Sequence, residues 1–351
     1  MVPISLASAM SLAAQTLPEM ENPLPTLSAA DRVWLDVQML ATPLPPSGTG
    51  NPQEPQARLA QQQQTAARFL SAADRAKAFY EQYPQHPKAA EARLLEVRSL
   101  VSAAQSGDAT AEDRAEAAVQ ALRSDGSIPA AIRVQAVSAH EFSRATRRSK
   151  DRDGRLKAIE RVARNLATEF PDQPQGAESL LTVASQSDDA TARKIAGELA
   201  ESPAAPEVKV AARALLSRLS LVGKTLAIEF DGAGLPLLRT AFKAGQPTVI
   251  YTWATSSPGS LRLAAELKKR GLAANIIGLN LDTDKKAAET LAQKEGLIGT
   301  LLYDERGLEG SLAQRWKLRR APQVFLVDAQ GVIRDVRGEG DLNQKLKQLG
   351  L

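Results

Sequence analysis

The chain has 351 residues, and its 44 Lys and Arg against 40 Asp and Glu leave a net charge of +4, too small to be a nucleic-acid signature on its own. It has no cysteine and only two histidines, His86 and His140, which excludes disulfide frameworks, thiolate-held metals, dithiol redox chemistry and multi-histidine sites. With 43% hydrophobic residues but only 4% aromatics, the length predicts two soluble domains, largely helical and packed through small side chains.

Met1 to Gln15 (MVPISLASAMSLAAQ) is apolar and small, and Ala7-Ser8-Ala9 has the small-x-small pattern of a cleavage site, although a basic start is missing. Residues 1–25 are therefore read as a signal-peptide remnant or a disordered end. The expected location is exported, in the periplasm or cell envelope, and otherwise cytoplasmic. No cysteine is present to accept a lipid, and no run reaches the roughly 18 apolar residues of a membrane span.

Residues 26–219 predict an all-α domain. Asp31–Leu40 has the pattern of a short amphipathic helix capped near Ala30-Asp31, and the Pro-rich stretch 41–56 cannot sustain helix or sheet. From Ala57 to Leu219 helix follows helix, with breaks at proline, glycine and Ser/Asp clusters. Two breaks repeat each other: Phe79–Leu94 (FYEQYPQHPKAAEARL) aligns without gaps on Leu166–Leu181 (LATEFPDQPQGAESLL) at an offset of 87 residues. An aromatic closes one helix, the first Pro stops it, and the second Pro enters the first turn of the next. This frame resembles the tetratricopeptide-like helical hairpins of cell-envelope proteins, which implies either a partner-binding surface or a purely structural array. His86 is read as a solvated turn residue, and His140 as a packed or exposed helical residue rather than a ligand.

From residue 220 to 351 the texture changes to α/β. Val222–Phe230 and Pro236–Leu238 flank Asp231-Gly232-Ala233-Gly234, a hairpin signal. Gly232-Ala233-Gly234 lacks the helix start and glycine spacing of a phosphate loop. Pro247–Trp253 and Ala274–Asp282 have the pattern of buried core strands, each followed by a helix (Gly259–Arg270 and Lys285–Glu295). Leu301–Tyr303 is a short extended piece before the helix Ser311–Trp316. Gln323–Asp328 and Val332–Arg337 form a hairpin about Ala329-Gln330-Gly331, and Leu342–Leu349 is a last helix. Connections of both kinds imply a mixed central sheet covered by helices on both faces. Asp282-Thr283-Asp284 is a strand exit and helix cap rather than a metal site, because further ligands are missing.

The run GQPTVIYTWATSSPGSLRLAAELKKRG resembles the first core strand and active-site helix of the thioredoxin-like superfamily, in particular exported thiol–disulfide oxidoreductases of the TlpA/ResA type. Arg320-Ala321-Pro322-Gln323-Val324-Phe325 is similar to their second motif, and the resemblance implies that Pro322 is cis and faces the active-site helix. Asp328-Ala329-Gln330-Gly331 is similar to their following hairpin turn. The departure is at the two motif cysteines, replaced by Ser257 and Ser260. A serine hydroxyl can neither form a disulfide nor act as the thiolate, and no histidine lies in this half to activate it. Where the family's relay carboxylate falls on this strand, the residue is Tyr251.

The reading is a two-domain protein with no catalytic residues, no metal site, no cofactor and no nucleic-acid partner. Its expected role is a redox-inactive binding or scaffold module for a protein or extended peptide in the cell envelope. Candidate binding residues are Trp253, Ser257, Pro258, Ser260, Arg262, Arg320, Ala321 and Pro322, with Lys317, Arg319 and the wall of Trp316 beside them. The helix N-terminus favours an anion or carbonyl there, and the residue before Pro322 can pair with an extended chain; the alternative is that the serines are helix caps, the arginines a solvated face and both tryptophans partly core. The competing reading is a thiol–disulfide oxidoreductase whose two cysteines have been exchanged for serine. The sequence leaves the partner's identity and the oligomeric state open.

Overall fold

Ser28 opens the first helix, α1 (Ala29–Ala41), through a reciprocal cap. Its hydroxyl accepts from Asp31 N–H at 3.1 Å while the Asp31 carboxylate accepts from Ser28 N–H at 3.1 Å. Such an exchange satisfies two of the amide groups a helix start leaves unpaired. The cap thus lies two to three residues earlier than the apolar pattern suggested. The computed structural model describes residues 28–42, 55–226, 241–338 and 342–351. The signal-remnant segment 1–25, most of the Pro-rich loop 41–56, and the hairpin from 227 through Leu238 lie outside the described residues.

Long helices follow: α2 (Pro55–Gln82), α3 (Ala89–Gln105), α4 (Thr110–Ser124), α5 (Ala130–Arg148), α6 (Arg152–Glu169), α7 (Gln175–Gln186), α8 (Asp189–Glu201) and α9 (Pro206–Leu219). The repeated Pro frame builds the same turn twice. Tyr83 N–H donates to Phe79 O at 2.8 Å and His86 N–H to Tyr83 O at 3.0 Å; Phe170 N–H donates to Leu166 O at 2.9 Å and Gln173 N–H to Phe170 O at 3.0 Å. Each turn folds its helices into an antiparallel hairpin, α2 with α3 and α6 with α7. The copies differ where Ala89 in the first corresponds to Gly176 in the second. A Cβ on Gly176 would stand 2.5 Å from Ala167 N, so only glycine lets α7 approach α6 this closely. His86 is not solvated as expected. Its ring meets Phe79 edge-on at 5.2 Å, Nδ1 accepts from Lys88 N–H at 3.1 Å, and Nε2 lies 3.3 Å from the Asp31 carboxylate.

The α/β region is built from β1 (Thr248–Trp253), α10 (Pro258–Arg270), β2 (Asn275–Asn280), α11 (Lys285–Glu295), β3 (Thr300–Tyr303), α12 (Ser311–Arg315), β4 (Val324–Val327), β5 (Ile333–Asp335) and α13 (Leu342–Gln348). The strand order is β3-β2-β1-β4-β5. β1, β2 and β3 run parallel, whereas β4 pairs antiparallel with both β1 and β5. Alternation along β1 divides two cores. Val249, Tyr251 and Trp253 pack with α10, α11 and α13. Ile250 turns the other way, into a core shared with Phe325, Val327 and Ile333, and with Trp316 and Leu318 beyond α12.

That second core does not stop where the β structure begins. It continues through Leu180 and Val183 of α7, Ile195 and Leu199 of α8, and Leu215 and Leu219 of α9. The chain accordingly separates into two compact units, Met1–Leu122 and Arg123–Leu351. The change of texture at residue 220 and the division of packing after Leu122 are different positions, because one sheet face is buried by helices that precede it in the chain. No helix among the described residues is long and apolar enough to cross a membrane.

Candidate functional site

The site forms where β1 ends. Asp282, just beyond β2, holds the loop that follows: its carboxylate accepts from Thr255 N–H at 2.9 Å, Thr255 Oγ1 at 3.1 Å and Asn280 Nδ2 at 2.8 Å. The chain then turns at Ser257, the N-cap of α10, with Pro258 in the first helical turn, where its missing N–H costs nothing. The Ser257 hydroxyl accepts from Ser260 N–H at 3.4 Å and donates to Ala321 O at 3.0 Å. Ser260 is fully buried, and its hydroxyl donates to Ser257 O at 2.7 Å and accepts from Ala254 N–H at 3.3 Å. Both hydroxyls are thus committed to the loop and the cap.

Opposite them stands the Ala321–Pro322 bond, which is cis. Thr252 fixes this segment from β1. Its Oγ1 accepts from Gln323 N–H at 2.8 Å, and its own N–H donates to Gln323 O at 2.9 Å. Across the gap, a Cβ placed on Gly259 would meet Pro322 Cδ at 3.5 Å, so the absent side chain leaves Pro322 uncovered on that side. Ala321 and Gly259 are both half-buried, and neither N–H makes a hydrogen bond among the described residues.

The expected site residues therefore separate. Ser257, Pro258, Ser260, Ala321 and Pro322 converge, with exposed Arg262 and Arg320 near them. Trp253 does not form a ligand wall: it is 0% exposed and packs edge-on against Tyr303, with ring centroids 6.0 Å apart. Its odd position on β1 turns it into the helix-covered core. Trp316 is likewise in the core, 4.5 Å from the Phe325 ring. Tyr251 supplies no carboxylate. Its hydroxyl donates to Ile298 O at 3.1 Å, and burial pushes its phenol well above the ordinary tyrosine range. Thr252 and Asp282 matter more than the sequence suggested. A threonine within an apolar strand, and an aspartate at a strand exit, were the signals available for them. No cluster of metal-ligating side chains is found among the described residues.

This geometry can be compared with known proteins. The chain is 35% identical over 137 residues to the thiol:disulfide interchange protein DsbE of Yersinia pestis, covering 38% of this chain and 64% of that one. Against the protein of the same name from Vibrio cholerae it is 35% identical over 105 residues, 29% of this chain and 54% of that one. The C-terminal region is a thioredoxin-like domain of the thiol–disulfide oxidoreductase type, without cysteine. The chain spans about half to two thirds of the length of the curated relatives it matches. A solved thiol-disulfide oxidoreductase from Bacteroides fragilis is 29% identical, with a TM-score of 0.27, over 30% of this chain and 82% of that one. No family model matches the chain. In the thioredoxin-like domain the positions that carry redox chemistry elsewhere are filled by a helix cap and a buried hydroxyl.

Proposed function

We propose that this protein is a redox-inactive binding or scaffold module that holds an extended protein segment against its thioredoxin-like domain. The observation that carries this reading is the pairing at Ser257. Both motif hydroxyls are consumed within the protein, while Ala321 beside Pro322 keeps an unpaired backbone donor at the surface. A strand laid along that segment would satisfy it, as in other edge-pairing recognition. The helical hairpins supply further surface for a partner, in the manner of tetratricopeptide-like arrays. Exported placement, in the periplasm or cell envelope, is part of the proposal. The small, apolar start of the chain and the likeness to exported oxidoreductases support it.

The competing reading, a thiol–disulfide oxidoreductase with serine in place of its cysteines, is favoured by the likeness to the thiol:disulfide interchange proteins DsbE of Yersinia pestis and Vibrio cholerae. One experiment separates the two. Ser257→Cys/Ser260→Cys should remain inert toward insulin disulfides in the presence of dithiothreitol if the site is adapted to binding. Turnover clearly above the serine protein would favour the oxidoreductase. A pull-down from envelope extracts, repeated with Ala321→Pro to remove the free N–H, should lose its captured segment if the site binds through it.

A further inference from the structure

Three Asp-Gly steps occur in the chain, Asp125-Gly126, Asp153-Gly154 and Asp231-Gly232, the last outside the described residues. In such a step the aspartate carboxyl carbon is one ring closure away from the next backbone nitrogen, and glycine puts no side chain in the way. Exposure does not separate the two described steps, since Gly126 and Gly154 are both exposed. Their backbones do. Gly154 sits in the first turn of α6, and its N–H donates to the carboxylate of the Asp151 cap at 2.7 Å. A Cβ there would stand 3.1 Å from the same carboxylate, so Gly154 is crowded as well as bonded. Gly126 lies in the turn between α4 and α5. Its N–H makes no hydrogen bond among the described residues, and a Cβ on it would meet nothing within 4 Å. The Asp125 carboxylate reaches back past this nitrogen: Oδ1 accepts from Ser127 N–H at 3.0 Å and from Ser127 Oγ at 2.5 Å. Both donors draw charge onto Oδ1 and leave the carboxyl carbon more open to a nucleophile.

We infer that Asp125 is a site of covalent self-modification, the formation of isoaspartate, from which the fold holds Asp153 back. Gly126 N forms a bond to Asp125 Cγ and gives up its proton. The protonated carboxyl loses its hydroxyl as water, which closes a five-membered succinimide. Water then adds to one of the two ring carbonyls. Addition at Cγ restores aspartate, whereas addition at the main-chain carbon leaves the chain running through Cβ and Cγ. One water leaves and one enters, so water is the only reactant and nothing is oxidised or reduced. The product has an extra methylene in its main chain and its carboxylate on Cα. It therefore gives up the Ser127 bonds and displaces Ile128, whose N–H donates to Asp125 O at 3.2 Å. It also pulls on Arg133, which spans this turn by donating to Arg123 O at 3.3 Å and Ile128 O at 3.2 Å. This reactivity is independent of the binding reading above.

The test keeps the full chain in oxygen-18 water at neutral pH and physiological temperature for several weeks, followed by peptide mapping in a mass spectrometer. Each passage through the succinimide leaves one heavy oxygen, and electron-transfer fragmentation tells isoaspartate from aspartate. Label at Asp125 should exceed that at Asp153 several-fold in the folded protein, whereas in urea the two should come close together. Gly126→Ala, which has room in the fold, should cut the Asp125 label several-fold without changing the melting curve. Asp151→Ala, which removes the acceptor of Gly154 N–H, should raise the label at Asp153. Equal labelling of the two steps in the folded protein, or the same ratio folded and in urea, overturns the assignment. So does an Asp125 label undiminished by Gly126→Ala. An Asp153 label unmoved by Asp151→Ala overturns the protection ascribed to the cap.

Discussion

Arg337 Nη2 donates to the carboxylate of Asp189, tying the segment after β5 to the first turn of α8. The same guanidinium donates through Nη1 to Ala184 O and Ser187 O, each at 2.9 Å, so it also closes the C-terminal end of α7. A cation at one helix end and an anion at the next helix start both complement the helix dipoles. Arg337 is only 6% exposed, whereas the Asp189 side chain is 40% exposed, so the two partners are not equivalent. Arg337→Met should cost roughly 2–4 kcal/mol, because it strands helix carbonyls that water reaches poorly. Asp189→Asn should cost about 1 kcal/mol or less, since solvent screens that end. Urea unfolding of both variants checks the order, and a loss of under about 0.5 kcal/mol for Arg337→Met would place it with ordinary surface changes.

The shared core makes a second prediction, about where the protein can be cut. Trp316, Phe325, Val327 and Ile333 pack with Leu215, Leu219, Ile195 and Leu199. Fully burying one such side chain is worth about 1.5–3 kcal/mol, and removing α7–α9 would re-expose several at once. A fragment beginning at residue 220 should therefore bind hydrophobic dyes and fail to unfold cooperatively. One beginning at Arg123 should show a single sharp transition by calorimetry. Equal cooperativity in both would mean the helices merely rest on the sheet.

The legibility of this molecule in its sequence followed the physics of each feature. From β1 onward the strands and helices of the α/β region were readable to within a residue or two, because apolar runs, Pro258 at a helix start and Gly331 in a turn act locally, whereas Val222–Leu226, read as extended, is a turn with a single bridge at Thr225. The two Pro-x-x-Pro turns were readable for the same reason. Trp253 and Trp316 stayed open between a ligand wall and the core, since a tryptophan beside a motif looks the same whether its face is solvated or covered. The partners of Arg337 lie about 150 residues away in the chain, beyond any local pattern. Thr252 is the intermediate case: its identity hinted at a polar task inside β1, but its partner Gln323 is distant in sequence.

Thr252 yields the third prediction. It is fully buried, and its hydroxyl is the acceptor for Gln323 N–H at 2.8 Å. Thr252→Val keeps the shape of the side chain and removes that acceptor. Leaving a buried amide unpaired costs about 1–3 kcal/mol. The variant should lose stability by that amount and should exchange the Gln323 amide hydrogen faster than the parent protein. Unchanged protection at Gln323 would mean that the backbone bond to Thr252 is sufficient alone.

Glu96 of α3 gives a pH-dependent prediction with a definite sign. It is 8% exposed, and its carboxylate accepts from Tyr80 OH at 2.9 Å. Burial raises its carboxyl above the ordinary value, although the Tyr80 hydrogen bond and the charges of Lys77 and Arg114 pull the other way. Burial, and then the neighbouring Glu96 charge, push the Tyr80 phenol up as well. A carboxyl whose pKa is raised on folding is held more tightly in its protonated form by the folded state. Its contribution is therefore full below the ordinary carboxylate pKa and is lost as pH rises through the raised one. Glu96→Gln keeps an acceptor for Tyr80 and removes the buried charge. The variant should melt higher than the parent at neutral pH, and the two should converge as the solution is made acidic. Tyr80→Phe, which takes away the donor, should melt lower at neutral pH. Melting temperatures recorded from mildly acidic to neutral pH decide the matter, and a Glu96→Gln difference that stays constant across that range would show that the charge of Glu96 is already paid off by Lys77 and Arg114.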